Sequence, residues 1–247
     1  MQGLITIDFG NTHPHAGLFH KLPSGWQLMK VVPFQELSLY LSQFEMTAHN
    51  SQMILSEVKP REEDLQPFVD QGYLITRVKN YWKGERFAGM PVNYTKTLGE
   101  DRLIEAFYVF KKLKSASLII DAGTYVTMDV VTPQGFVGGY IIPGLETYFN
   151  MFQKGEQLKD VKLEHDFSLT LPHKTSDAMT ESYTAFAALA DKMVNEHQLD
   201  HVLVTGGKAD VWKTFLQINR PGVNVVTELH LIHQALHYWF TTQIEPQ

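Results

Sequence analysis

Apolar residues dominate or alternate over residues 4–8 and again over 16–20, the spacing of strands in a sheet. Gly10, Asn11, Thr12 and Pro14 lie between them. Such residues turn a chain, so "LITIDFGNTHPHAGLF" predicts a hairpin with an acid, Asp8, at the end of its first strand. Helical spacing follows over residues 34–44, a short strand over 53–56, a helix in the acidic "REEDLQPFVDQG" that stops at Gly72, and a strand over 73–78. The turn-rich "GERFAGMPVNYTKTLGED" then leads into a helix over about residues 102–113, with Leu103, Ala106, Phe107 and Phe110 at helical spacing. Loops that long are uncommon unless they serve a function.

After Lys114 the pattern restarts. "SLIIDAGTYVTMDVV" is again a strand, an acid (Asp121), a glycine turn and an alternating strand. Set beside "LITIDFGNTHPHAGLF", it shares the apolar run, the Asp-x-Gly and a nearby Thr, the mark of an internal duplication. The expectation is therefore two related halves, residues 1–115 and 116–247. A second hairpin through "TPQGFVGGYIIPG", helical "YFNMFQKGEQL", one long helix in "TSDAMTESYTAFAALADKMVNEH", a strand in "HVLVTGG" and terminal helices complete the second half.

With 247 residues the chain can bury one large core or two modest ones. Hydrophobic residues at 44% and charged residues at 19% describe a globular protein, and no apolar stretch reaches the length of a membrane span. Nothing in "MQGLITIDFGN" marks export, so a cytoplasmic location is expected. The absence of cysteine removes thiolate nucleophiles, disulfides and cysteine-held metals, leaving chemistry to oxygen and nitrogen. Net charge is -6 but uneven: residues 1–115 carry 13 Lys and Arg against 12 Asp and Glu, the rest 8 against 15. Only "RVKNYWKGERF" concentrates basic residues among aromatics. It reads as a solvated strand and loop, a nucleic-acid surface or a lining for an anionic small molecule, and nucleic acid is not the expected partner.

A carboxylate at a strand end followed by a glycine turn suits phosphate and a cation, because Gly lets the backbone approach and exposed N–H and Thr hydroxyl groups meet anionic oxygens. Asp-Phe-Gly also occurs in protein kinases, but their nucleotide loop, strand lysine and His-Arg-Asp precede that triplet, and here only seven residues do. No Gly-Lys-Ser/Thr marks a P-loop, and a hairpin rather than a helix follows the glycines. "VTGG", with Gly206 and Gly207, adds a third glycine turn. His13 and His15 flank Pro14, but a metal reading needs further ligands that the sequence does not place nearby. His230, His233 and His237 read as packing residues of a terminal helix.

The three turns resemble the acetate and sugar kinase, heat-shock chaperone and actin superfamily. "DFGNTHPHAGLF", "LGEDRLIEA", "IDAGTYVTMDVV" and "GGYIIPG" are similar, in order and spacing, to the motifs of type III pantothenate kinases, and "LSEVKP" and "TGG" extend the likeness. The resemblance implies an α/β fold of two duplicated ribonuclease H-like halves, each with a mixed sheet flanked by helices, and an interdomain ATP cleft. It further implies ATP-dependent phosphorylation of pantothenate to 4'-phosphopantothenate, the first step of coenzyme A biosynthesis, with Mg2+, K+ or NH4+, and a homodimer. By matching positions, Asp8, Gly10, Asn11 and Thr12 would serve ATP phosphates, with Asp8 holding magnesium through water. Thr124, Gly206 and Gly207 would serve phosphate too. Asp101 would be the general base, and Tyr94, Gly99, Glu100, Arg102 and Thr175 would meet the substrate. Asp121 would hold the monovalent cation, and Asp129 is placed in the same turn. Independently, Asp101 before Arg102 suits proton removal beside an anion, or equally a helix cap. The adjacent cation and helix N-terminus are expected to keep Asp101 ionised. Tyr125, Ser182 and Phe186 stand where the family has smaller residues, which leaves as an alternative a catalytically degenerate member that binds a ligand or regulates.

Overall fold

The first strand, β1 (Gly3–Phe9), is buried along its whole length, as a central strand covered on both faces must be. It pairs antiparallel with β2 (His15–Leu22), Asp8 opposite His15. β2 pairs in turn with β3 (Gly25–Pro33), a strand the apolar pattern did not announce because its residues are mostly exposed at the sheet edge. After a 3-10 turn (Phe34–Glu36) and α1 (Leu37–Gln43), β4 (Ser51–Glu57) lies parallel to β1, and α2 (Glu62–Asp70) leads to β5 (Ile75–Arg77), parallel to β4. Gly72 ends that helical turn at φ +88°, a conformation glycine adopts without a Cβ penalty. The turn-rich stretch is not a bare loop. After the two-residue strand β6 (Trp82–Lys83), it holds two more, β7 (Arg86–Phe87) and β8 (Met90–Pro91), before α3 (Glu100–Lys112).

The second unit repeats the scheme. β9 (Ser117–Ala122) pairs antiparallel with β10 (Tyr125–Thr132), and β11 (Gly135–Pro143) follows. α4 (Leu145–Met151), α5 (Thr175–Glu181) and α6 (Ala185–His197) precede β12 (His201–Thr205), which is parallel to β9. α7 (Ala209–Asn219) connects to β13 (Asn224–Thr227), parallel to β12 and unannounced by the sequence pattern. Sheet orders are β3-β2-β1-β4-β5 and β11-β10-β9-β12-β13. The identical order is the duplication seen structurally. α8 (Leu231–Trp239) ends the regular chain with a π turn over Phe240–Ile244.

This computed structural model describes residues 2–10, 12–156, 158, 161, 167, 171–219 and 222–244. Asn11, and Gln157 within the helix expected over residues 148–158, lie outside them. Two compact units result: Met1–Leu113 with Gln134–Phe136 and His230–Gln247, and Lys114–Pro133 with Val137–Leu229. In the first, Ile5, Ile7, Leu18, Met53, Leu55 and Phe68 form a core, and α8 packs on α3 through Tyr238 against Tyr108 and Phe107. In the second, Leu118, Ile120, Met128, Tyr183, Trp212 and Phe215 do so.

The helix expected to run unbroken from Thr175 is interrupted at Ser182–Thr184 by a 3-10 turn. Hydroxyls compete there with the amide ladder: Ser182 Oγ donates to Ala178 O at 2.9 Å and Thr184 Oγ1 to Glu181 O at 2.6 Å.

Candidate active site

In the first unit, β1 delivers Asp8 to the sheet end with 8% of its surface exposed. Gly10 follows, where a Cβ would stand 3.3 Å from Asp8 Oδ2, a tight approach that glycine avoids. Thr12 is exposed in the same turn. His15 Nε2 lies 3.6 Å from Asp8 Oδ2. The sequence placed no further ligand near His15, yet α8 brings His233 to 2.9 Å from its Nδ1. Burial first, then His230, lowers the His15 pKa; burial and His15 hold His233 well below the ordinary imidazole range.

A second group forms at the start of α3. Gly99 is its N-cap, and a Cβ there would come within 2.3 Å of Asp101 Oδ1. That oxygen accepts a hydrogen bond from the Arg102 backbone N–H at 2.8 Å. Burial raises the Asp101 pKa, outweighing the Arg102 N–H and guanidinium that oppose it. The arginine was expected to favour the ionised form, and it does oppose the shift, but desolvation is the larger effect. Arg102 is itself buried, with its guanidinium 5.4 Å from the Tyr94 ring centre, a cation–π contact. Tyr94 also borders an open depression of about 600 Å³ lined by Glu85, Asn93, Thr95 and Thr97.

Glu100 turns the other way, into the protein. Burial pushes its pKa up to about 7, against the attraction of Lys79 and the pull of the Glu57 and Lys79 backbone N–H groups. Glu57 at the end of β4 carries its own ion pairs, to Arg77 at 2.5 Å and to Lys79. Since Glu57 pairs with Phe9 across β1 and β4, these contacts tie the α3 start to the strand end that holds Asp8. Glu57 lay within the "LSEVKP" motif, but its partners Arg77 and Lys79 had no signal beyond a basic run.

In the second unit, Asp121 sits near the end of β9, level with Thr205 of β12. Gly206, at φ +85°, presses against it: a Cβ would lie 2.5 Å from Asp121 Oδ1 and 2.8 Å from Ala122 backbone atoms. Gly207 faces open space. The Gly123–Thr124 turn is held by α4, where Gly144 N–H donates to Thr124 O at 3.0 Å and Thr147 Oγ1 to the same oxygen at 2.7 Å. Asp121, Gly206 and Gly207 are thus brought together, with Thr124 on the adjoining turn. Thr175 opens α5 as an exposed residue. Asp129 is not in the turn but buried inside β10 opposite Ile119. Among the smaller-residue positions, Ser182 bonds the Tyr148 hydroxyl at 2.7 Å and Phe186 packs edge-on against Tyr148 and Tyr183.

The carboxylate and hydroxyl oxygens are hard donors suited to Mg2+, while the hydroxyls and glycine-opened backbone N–H groups suit phosphate. At Gly10 a side chain would crowd the Asp8 carboxylate that such a cation would meet. Among the described residues no three His, Cys, Asp or Glu converge as a metal centre, and none of the helices is long and apolar enough to cross a membrane.

Comparison with known proteins agrees with this chemistry. A protein of Syntrophus aciditrophicus named type III pantothenate kinase is 27% identical over 228 residues, 85% of this chain and 89% of that one. One of Geobacter sulfurreducens with the same name is 25% identical over 226 residues, 84% and 88% of the two chains. The fold recurs in a Campylobacter jejuni protein assigned to the Baf family of transcriptional activators, with a TM-score of 0.60 at 17% identity over 98% of this chain and 99% of that one. A Sinorhizobium meliloti protein assigned as a 2-dehydro-3-deoxygalactonokinase shares it with a TM-score of 0.61 at 12% identity, covering 99% and 100%. The family model for type III pantothenate kinase matches residues 4–196. With the doubled sheet, the two strand-end acids and the Gly99–Arg102 helix start, that match places this chain in the type III pantothenate kinase family of ATP-dependent kinases.

Proposed function

We propose that the protein phosphorylates the primary hydroxyl of pantothenate with ATP, giving 4'-phosphopantothenate and ADP at the entry to coenzyme A synthesis. The observation that carries this is the start of α3, where Gly99 makes room for the Asp101 carboxylate beside the buried Arg102. The hydroxyl oxygen attacks the γ-phosphorus, the bond from that phosphorus to the bridging oxygen breaks, and the hydroxyl proton passes to Asp101. A carboxylate made more basic by burial is a better acceptor for it. Arg102 offers its guanidinium to anionic oxygen, with Tyr94 against its face and Gly99 and Glu100 fixing the helix start. Thr175 of α5 serves the substrate side.

Asp8, with Gly10, Asn11 and Thr12, serves phosphate in the first unit; Thr124, Gly206 and Gly207 do so in the second. Mg2+ held at Asp8 would neutralise phosphate charge, and Asp121 would take K+ or NH4+. The enzyme works in the cytoplasm as a homodimer. Coupled ADP release over a panel of small alcohols tests the substrate: pantothenate should exceed other alcohols at least tenfold, and equal rates would defeat the assignment.

A second reading is favoured by Tyr125, 48% exposed directly after Thr124, whose bulk could crowd a bound phosphate. On that reading the protein binds nucleotide or pantothenate and regulates without turnover. Calorimetric binding of both ligands with no ADP release would select it.

A further inference from the structure

Gly17 of β2 leaves a seat for an imidazole: a Cβ there would stand 2.7 Å from Thr6 Oγ1 and 2.8 Å from His233 Cγ. Into this seat α8 places His233, with no exposed surface. Its Nδ1 lies 2.8 Å from Thr6 Oγ1 and its Nε2 2.9 Å from His15 Nδ1. Thr6 Oγ1 is also 3.2 Å from Gly17 O, an acceptor only. The contacts allow two proton relays: with the threonine proton toward His233 Nδ1, His15 carries Nε2–H beside Asp8; with it on Gly17 O, the Thr6 oxygen accepts from His233 Nδ1–H. His233 Nε2 then accepts from His15 Nδ1–H, and His15 Nε2 is left as a lone pair.

That nitrogen is the one 3.6 Å from Asp8 Oδ2, on a side chain 34% exposed. In that second relay a lone pair and a carboxylate oxygen stand 3.6 Å apart, an arrangement that a cation between them would stabilise. Donors about 2.1 Å from one ion stand roughly 3.0–3.4 Å apart in octahedral or tetrahedral geometry, so a few tenths of an ångström close the gap. Ligating histidines are commonly held by an acceptor on their other ring nitrogen, which fixes tautomer and ring plane. His233 and Thr6 supply that hold.

We propose that His15 Nε2 and Asp8 together form a mixed nitrogen–oxygen donor pair for the divalent cation that accompanies the nucleotide, with His233 and Thr6 as positioning residues. This rests on the kinase reading of Asp8. Nucleotide phosphates and water complete the coordination, and the nitrogen makes the site more tolerant of Mn2+, Co2+ or Zn2+ than an all-oxygen one.

The probe is Mn2+ with a non-hydrolysable ATP analogue, read by electron spin-echo modulation on the full chain. Protein with 14N-histidine should show imidazole nitrogen coupling that changes with 15N-histidine; adenine nitrogens cannot do this. In His15→Gln the coupling should vanish and the Mn2+ dissociation constant rise at least tenfold. Thr6→Val should weaken Mn2+ about tenfold while keeping the coupling, because the ligand remains but its hold is loosened. Bound Mn2+–nucleotide with no isotope-sensitive coupling overturns the proposal while leaving the kinase reading intact. No Mn2+–nucleotide binding at all overturns both. Should His15→Gln not fold, the isotope exchange in the unaltered protein decides alone.

Discussion

At the scale of single residues, the α3 start concentrates three separate constraints in four positions. Gly99 is glycine because a methyl group would stand 2.3 Å from Asp101 Oδ1. Since the obstacle is a side-chain end, Gly99→Ala should move the carboxylate rather than unfold the helix. Steady-state kinetics and thermal melts should show kcat down at least tenfold, with stability changed by less than about 1 kcal/mol. Glu100 has the opposite role: raised to about 7 by burial, it makes ionisation costly. Between its unfolded value near 4.5 and about 7 the folded protein holds the extra proton, so this group's contribution to stability is fully present below pH 4.5 and is lost as pH rises to about 7. Glu100→Gln should therefore gain relative to the original protein between pH 5 and pH 8, by roughly 1–3 kcal/mol. Urea unfolding across that range checks it, and a pH-independent difference would contradict the assignment. The place of Asp101 at a helix start was legible because its motif is contiguous. His233 was not: it reaches Thr6 from 227 residues away, and no local pattern encodes that contact.

Among the elements, both strand–turn–strand units were legible because the apolar runs of β1 and β9 end in the same Asp-x-Gly. β3 and β13 were missed for one physical reason: edge strands bury too little to show an apolar period. The helix after Thr175 was expected whole because helical spacing persists through residues 182–184, while hydroxyl-to-carbonyl bonds that periodicity does not register break it. In the second unit the β12–α7 connection depends on Gly206, whose φ of +85° and 2.8 Å Cβ approach to Ala122 backbone leave nowhere for a side chain. Gly206→Ala should cost about 1–3 kcal/mol from backbone strain alone, and displace the Asp121 carboxylate. Denaturation should show the loss, with K+ stimulation of turnover falling in parallel. An unchanged K+ response would separate Asp121 from cation binding.

For the molecule as a whole, duplication explains why acids recur at corresponding strand ends, and the sheet orders make that correspondence explicit. Divergence between the halves gives them different work. The first unit carries the α3 start with Asp101 and Arg102 and a nearly balanced charge, while the residues after 115 carry 8 basic against 15 acidic side chains, a balance suited to cations more than to nucleic acid. The central claim is that this chain is a working kinase whose base is Asp101, and it rests on one exchangeable atom. Coupled ATP turnover with pantothenate, Mg2+ and K+ should be robust in the original protein. In Asp101→Asn, which keeps shape and removes the proton acceptor, it should fall by at least a hundredfold with the melting temperature nearly unchanged. Equal turnover in the two proteins would contradict the assignment of the base, and no turnover in the well-folded original would contradict the kinase itself.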